Sequence, residues 1–167
     1  MSRYRGPKVK LARRLGDLPT LTSKTSIRPN PPGQHGALRR KTSPYALRLQ
    51  EKQKIRLSYG LREKQLYRYV LQGRRSKEAT GKVVLSLLER RLDMVTYRNG
   101  FYSTLPGARQ LVTHGHISVN GRTVQSPSYL CNSNETLTCA LKIKAEQVDS
   151  EMIQFNERLL VEYYSRR

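Results

Sequence analysis

The side chains best able to do chemistry are three histidines, two cysteines and one close carboxylate pair. His114 and His116 flank Gly115, so two imidazoles lie near one turn. No carboxylate or cysteine lies close to them in sequence, and a metal site needs about four ligands. The pair therefore reads as turn-forming or ligand-facing, and no metal is expected. His35, in a Pro/Gly loop, reads as a contact to backbone or to a bound partner. Cys131 and Cys139 stand too far apart for a Cys-x-x-Cys redox pair and read as small, half-buried strand residues. Glu89 and Asp93 sit four apart on one helix, a spacing that could pair an acid with a base. Arg90 and Arg91 lie between them, which makes ion pairing the better reading. There is no Gly-rich phosphate loop and no nucleophile motif, so no catalytic residue, no cofactor and no enzyme is expected.

Positive charge is what the chain has in excess. Its 167 residues carry 32 Lys+Arg against 12 Asp+Glu, a formal charge of +20. Residues 1–100 hold 25 basic and 6 acidic side chains, net +19, whereas the remainder holds 7 and 6, net +1. Such an excess repels itself, and a polyanion is the usual compensation. No apolar run exceeds three residues, so no membrane-spanning helix or secretory core is expected. Basic helices that lie on membranes oppose their charge with a wide face of Leu, Phe and Trp. Here the basic residues alternate with Tyr, Gln, Ser and Gly, and tryptophan is absent. The composition favours nucleic acid over membrane, and the length suits one or two small domains.

These cations need elements to position them. Residues 1–42 hold Pro7, Pro19, Pro29, Pro31 and Pro32, which forbid a long helix but allow two turns over 8–15. With too few apolar residues for a core of its own, this segment reads as an extended basic arm ordered by its partner. A solvated terminus or a targeting peptide is the bland alternative, although Gly6-Pro7 spoils an amphipathic presequence helix. Ser43-Pro44 predicts a capped helix running to about Tyr59, stopped by Gly60. A second helix is predicted over 62–71, burying Leu66, Tyr69 and Val70. A third, from Thr80-Gly81, carries Val84, Leu85, Leu88, Leu92 and Val95 at helical spacing. Ser103 or Thr104 caps a fourth, with Pro106 in its first turn and Gly115 at its end. Asn120-Gly121 between two short β-type runs predicts a type I′ hairpin, with further strands near 129–131 and 136–144. The tail from Gln147 should dock on the rest as a strand or helix. The resulting expectation is an α+β fold: basic arm over 1–42, helical domain over 43–87, inserted two-helix-plus-hairpin module over 88–145, and tail over 146–167.

A folded nucleic acid presents mainly shape and phosphate to a protein, with base edges open only where they are unpaired. The predicted contacts in the arm are Arg3, Arg5, Lys8, Arg13, Arg14, Arg39, Arg40 and Lys41. Arg48, Lys52 and Arg56 recur every four residues on the first long helix, with Lys54 alongside. Unbalanced like charge at that spacing costs stability unless an anion relieves it. In the module, Arg90, Arg91, Arg98, Arg109, Gln110, His114, His116, Asn120 and Arg122 should form one outward surface. Arginine's planar fork suits phosphate. One of Arg90 and Arg91 could instead pair internally with Glu89 or Asp93.

Several separated stretches are similar to the S-four family of small-subunit ribosomal proteins. They include Pro31-Pro32-Gly33-Gln34-His35-Gly36, Leu49-Gln50-Glu51-Lys52-Gln53-Lys54 with Tyr59-Gly60, and Leu88-Glu89-Arg90-Arg91-Leu92-Asp93. The longest runs from Ala108-Arg109-Gln110-Leu111 through Val119-Asn120-Gly121, followed by Pro127-Ser128-Tyr129. The ending Leu160-Val161-Glu162-Tyr163-Tyr164-Ser165-Arg166 also resembles that family, and the opening Met1-Ser2-Arg3-Tyr4-Arg5-Gly6-Pro7 is similar to plastid-encoded members. The resemblance implies a structural constituent of the small subunit that binds 16S-type rRNA early in assembly. It implies a place near the messenger entry site, beside another small-subunit protein, and an influence on decoding accuracy. It also implies a plastid ribosome, with bacterial cytoplasm as the alternative. A free-standing RNA binder, or an RNA-modification factor using the same module, is the competing function; the latter would need a catalytic domain for which little chain remains. Two features depart from the family. No cysteine precedes Cys131, so the zinc cluster of some bacterial members is not expected, and the stretch before the tail looks short.

Overall fold

The computed structural model describes residues 4, 6–16, 18–28, 30–38, 41–132, 134–140 and 155–165. In chain order the elements are α1 (Lys8–Leu15), α2 (Pro44–Ser58), α3 (Glu63–Arg74), α4 (Thr80–Glu89), α5 (Leu92–Arg98), α6 (Leu105–Thr113), β1 (Ile117–Val119), β2 (Arg122–Thr123), β3 (Leu137–Cys139) and α7 (Glu157–Ser165). The α+β class expected from the sequence holds. Arg3, Arg5, Arg39 and Arg40 lie outside the described residues, as does most of the segment leading into α7.

Local chemistry sets the helix ends. The Ser43 hydroxyl accepts a hydrogen bond from the Ala46 amide at 3.2 Å, and Pro44 occupies the first position of α2. The helix closes with Leu61 N donating to Arg56 O at 2.8 Å and Gly60 N to Leu57 O at 3.1 Å. That is the paired bonding of a Schellman motif, and it needs the left-handed φ of +56° that Gly60 adopts. Helix α6 ends the same way: His116 N donates to Leu111 O, Gly115 N donates to Val112 O, and Gly115 has φ +78°.

One predicted helix is two. The apolar spacing from Val84 to Val95 suggests continuity, yet α4 stops at Glu89 and α5 starts at Leu92. The backbone between them pairs with a strand-like segment instead. Cys131 N donates to Arg90 O at 2.7 Å, Leu92 N to Tyr129 O at 2.8 Å, and Arg91 and Leu130 form a β-bridge. These bonds satisfy groups that helix continuation would otherwise have used.

The hairpin forms as predicted. Asn120 (φ 49°) and Gly121 (φ 76°) are both left-handed, as a type I′ turn requires. The Asn120 side-chain oxygen accepts from Thr136 N at 2.9 Å, tying the turn to the strand that follows. The antiparallel sheet has the order β2-β1-β3, with Ser118 opposite both Thr123 and Thr138.

Two principal cores share α5 and α6. Ile55, Leu66, Val70, Val84 and Leu88 pack with Met94, Tyr97, Leu105 and Ala108, and with Leu160 and Tyr164 of α7. Leu92, Leu111 and Val112, on the same two helices, pack with Ile117, Val119 and Cys131. The tail therefore returns as a helix against the helical domain. Its approach to α4 is close: a Cβ on Gly81 would stand 2.7 Å from the Glu157 Cβ.

The arm is only partly an arm. Leu15, Leu18 and Leu21 are buried with Leu11 against Leu57 of α2. Leu105 N donates to Thr20 O at 2.8 Å, and the Thr20 hydroxyl donates to Ser58 O at 3.2 Å. The scarce apolar residues of the arm suffice because α2 supplies the other half of their burial. Residues 23–28 are exposed and make only local side-chain contacts among the described residues.

Candidate nucleic-acid interface

A cleft of about 1180 Å³ lies between α1, the α2–α3 junction, and the module's α6 and post-hairpin segment. Lys8, Arg56, Arg62 and Lys64 line it, with Glu63 as the acidic member and Arg91 and Arg109 at its floor. Polar uncharged groups complete the wall, among them Gln65, Gln125 and Ser126. The cleft also receives the N-terminus of α3, where the Gln65 side chain accepts from Arg62 N at 3.3 Å and Gln65 N donates to Arg62 O at 3.1 Å. Glu63, at the first position of α3, complements the helix dipole, and Arg62 and Lys64 flank it with positive charge.

Buried polar atoms at the cleft have no internal partner among the described residues. They are the Ser58 hydroxyl oxygen, on a residue only 3% exposed, the Arg56 Nε, and Oε2 of Glu63, which is an acceptor. An unpaired buried donor costs about 1–3 kcal/mol, so such groups mark a place where a ligand completes the bonding.

Several predicted contacts lie inside the protein. Arg109, expected on the outward face of α6, is 9% exposed, and Arg91 is 4% exposed. Both grip Asp93. Arg91 Nε and Nη2 reach its two oxygens at 3.1 and 2.9 Å, while Arg109 Nε and Nη2 both donate to Oδ2, Nε at 2.9 Å. Arg109 further donates to the Gly60 and Tyr59 carbonyls at 2.8 and 2.9 Å, and Arg91 to the Tyr69 hydroxyl at 3.0 Å. Burial works against the Arg91 charge, but its bonds to Asp93 outweigh that and raise its affinity for the proton. A network this saturated has little bonding capacity left for phosphate. The internal-pair alternative raised for Arg91 is the one observed, and it extends to Arg109.

Much of the α2 stripe is also internal. Lys52, 4% exposed, donates to Glu63 at 3.0 Å and to the Tyr163 hydroxyl at 3.3 Å, with its ammonium 4.4 Å from the Tyr163 ring centre. Arg48 Nε donates to Glu162 at 2.7 Å. The like-charge spacing is thus relieved by acids from α3 and α7, which no local sequence signal reveals. Burial alone would push the Glu63 carboxyl up. Hydrogen bonds from Lys52 and Tyr164, and the charges of Lys52 and Arg56, hold it below the usual range.

The remaining predicted residues divide by placement. Arg13 is committed to the Asn30 carbonyl (2.7 and 3.0 Å), Lys54 to Glu51 and Arg98 to Glu89. Arg90, though exposed, donates to Cys131 O and Asn132, and Asn120 belongs to the hairpin turn. Arg14, Lys41, Gln110, His114 and Arg122 are exposed, His116 is half-buried, and Lys8 and Arg56 face the cleft. Sequence reasoning passed over Arg62, Lys64 and Ser58. The available signal was two cations around the predicted start of α3, where the dipole disfavours them.

A small basic α+β protein, with a hairpin module set between helical segments that pack on each other, is the class this fold defines. Residues 3–89 match the Ribosomal protein S4/S9 N-terminal domain and residues 90–137 match the S4 domain. The chain is 45% identical to the small ribosomal subunit protein uS4 of Prochlorococcus marinus and 44% identical to that of Synechocystis, over all of both chains in each case. The same protein of Trichodesmium erythraeum is 45% identical with equal coverage. This chain belongs to the uS4 family of small ribosomal subunit proteins. Each of these alignments runs over 201 positions against the chain's 167 residues, so the relatives carry residues that it lacks.

Proposed function

We propose that the chain is a structural constituent of the small ribosomal subunit that binds 16S-type rRNA directly, through the cleft and the cationic surface continuous with it. The observation that carries this reading is the cleft itself: Lys8, Arg56, Arg62 and Lys64 converge where the Ser58 hydroxyl and Arg56 Nε lack internal partners. A rigid concave surface of this kind recognises the shape and backbone of folded RNA rather than its paired bases. The protein acts by binding and positioning, with no bond made or broken.

Family membership supports the wider reading: an early role in assembling the body of the subunit, contact with neighbouring small-subunit proteins near the messenger path, and a contribution to decoding accuracy. The likeness to cyanobacterial proteins agrees with a plastid ribosome as the site of action.

The test is binding of the full chain to a transcript of the 5′ region of 16S-type rRNA and to duplex DNA of equal length, across a salt series. Preference for the transcript at moderate salt, with affinity falling steeply as salt rises, is the expected result. Equal affinity for the two polymers would overturn specific recognition. A tagged copy should co-sediment with the small subunit.

A further inference from the structure

A second, smaller concavity lies across the module from the cleft floor. It measures about 140 Å³ and is lined by Tyr102, Gly107, Gln110, Leu111, His114 and His116. A water occupies about 30 Å³ of liquid, so this space holds four or five waters, or one planar heteroaromatic ring. Its walls suit such a ring. Three aromatic side chains and one primary amide surround it, and none of its lining residues is charged acidic.

The backbone builds this enclosure deliberately. Gly115, at φ +78°, turns the chain at the end of α6 and brings the His114 and His116 rings to 6.2 Å between centres, tilted by 53°. On the opposite side Tyr102 lies directly on Gly107, where a Cβ would come within 2.0 Å of its Cε1. Glycine at that helical position costs about 1 kcal/mol relative to alanine. The cost is offset by letting the tyrosine ring approach the helix backbone while the residue stays 44% exposed. Gln110, exposed on the same face, offers one acceptor and two donors.

We propose that this pocket receives a single unpaired base of the bound rRNA, stacked on Tyr102 and the histidine rings, with the Gln110 amide on its edge. The inference rests on the rRNA-binding reading above and specifies what this part of the surface takes. Unpaired bases at RNA junctions are the parts of a folded RNA that aromatic side chains recognise, and they leave the protein's phosphate contacts to cations elsewhere.

The experiment uses the full chain and the 5′-region rRNA transcript, with Tyr102→Ala, Tyr102→Phe, Gly107→Ala and, as a cleft control, Lys64→Glu. Tyr102→Ala should weaken binding about tenfold, the loss of one stacked base, while the slope of affinity against salt stays unchanged. Tyr102→Phe should bind as the parent does. Gly107→Ala should weaken binding like Tyr102→Ala without lowering the melting temperature, because alanine is the better helix former. Ultraviolet crosslinking of the parent complex should place an adduct on the peptide holding Tyr102 or His114–His116, joined to one unpaired nucleotide. Parent-like affinity of Tyr102→Ala beside a weakened Lys64→Glu would overturn the pocket and leave the rRNA reading standing. So would a Tyr102→Ala defect seen only when a neighbouring ribosomal protein is present. Failure of the parent itself to prefer the transcript would overturn both.

Discussion

Asp93 Oδ2 accepts two hydrogen bonds from the Arg109 guanidinium, and the same guanidinium donates to the carbonyls that end α2. One side chain of α6 thereby fastens the hairpin module to the helical domain, and one carboxylate of α5 neutralises it. Gly60 makes room for this grip, since a Cβ there would stand 2.8 Å from Arg109 Nη1. Asp93 is 1% exposed and also serves Arg91, so one negative charge balances two buried positive ones.

Asp93→Ala should cost about 3–5 kcal/mol, because it leaves two guanidinium groups buried without a counter-charge. At about 2–4 °C per kcal/mol for a chain of this size, the melting temperature should drop by roughly 6–20 °C. Binding to the rRNA transcript, measured well below that temperature, should change less than twofold. A large affinity loss with unaltered melting would return Arg91 and Arg109 to the RNA surface.

Cleft cations should behave in the opposite way. Arg62→Ala and Lys64→Ala each should weaken rRNA binding by up to about 1–3 kcal/mol and lower the salt slope by about one. Melting temperatures should stay within a few degrees of the parent. Arg109→Ala, by contrast, should melt early and keep its slope. Titrations at several salt concentrations separate the two groups.

Acid should loosen the contact among α2, α3 and α7. The Glu63 carboxyl is held below its usual range in the folded chain, so it contributes stability that is present above its unfolded value of about 4.3. That contribution fades as pH falls through the lower folded value. Melting curves of the parent between pH 6 and pH 3 should show this loss, and Glu63→Gln should show less of it. Identical pH dependence in the two proteins would mean that Glu63 carries no such linkage.

The two thiols should react in a fixed order. Burial, joined by the nearby Glu135, pushes the Cys131 thiol up to about 11, and the residue is 7% exposed. Thiolate is the reactive form, so Cys131 should resist iodoacetamide at pH 8 until the module unfolds. Cys139, half-buried on β3, should be alkylated first. Peptide mass mapping after timed labelling gives the order directly.

The local grammar of the chain was readable without coordinates. Ser43-Pro44 and Gly60 bound α2, Thr104 and Gly115 bound α6, and Asn120-Gly121 turns the hairpin, because caps and turns depend on a few neighbouring residues. The charge excess was readable too, since net charge is a sum that folding leaves intact. Which cations remain available for RNA is a different kind of quantity. Arg48, Lys52, Arg91 and Arg109 look as promising in sequence as Lys8 or Arg56. Their partners are Glu162, Glu63 and Asp93, and all but Arg91 find theirs on another helix. The break between α4 and α5 has the same origin, because residues near 130 capture the backbone that helix periodicity would extend. Caps, turns and total charge are short-range or additive, so the amino-acid order alone determines them. Burial and pairing of a charge depend on which distant segments meet, and that was decided only when α2, α5, α6 and α7 packed together.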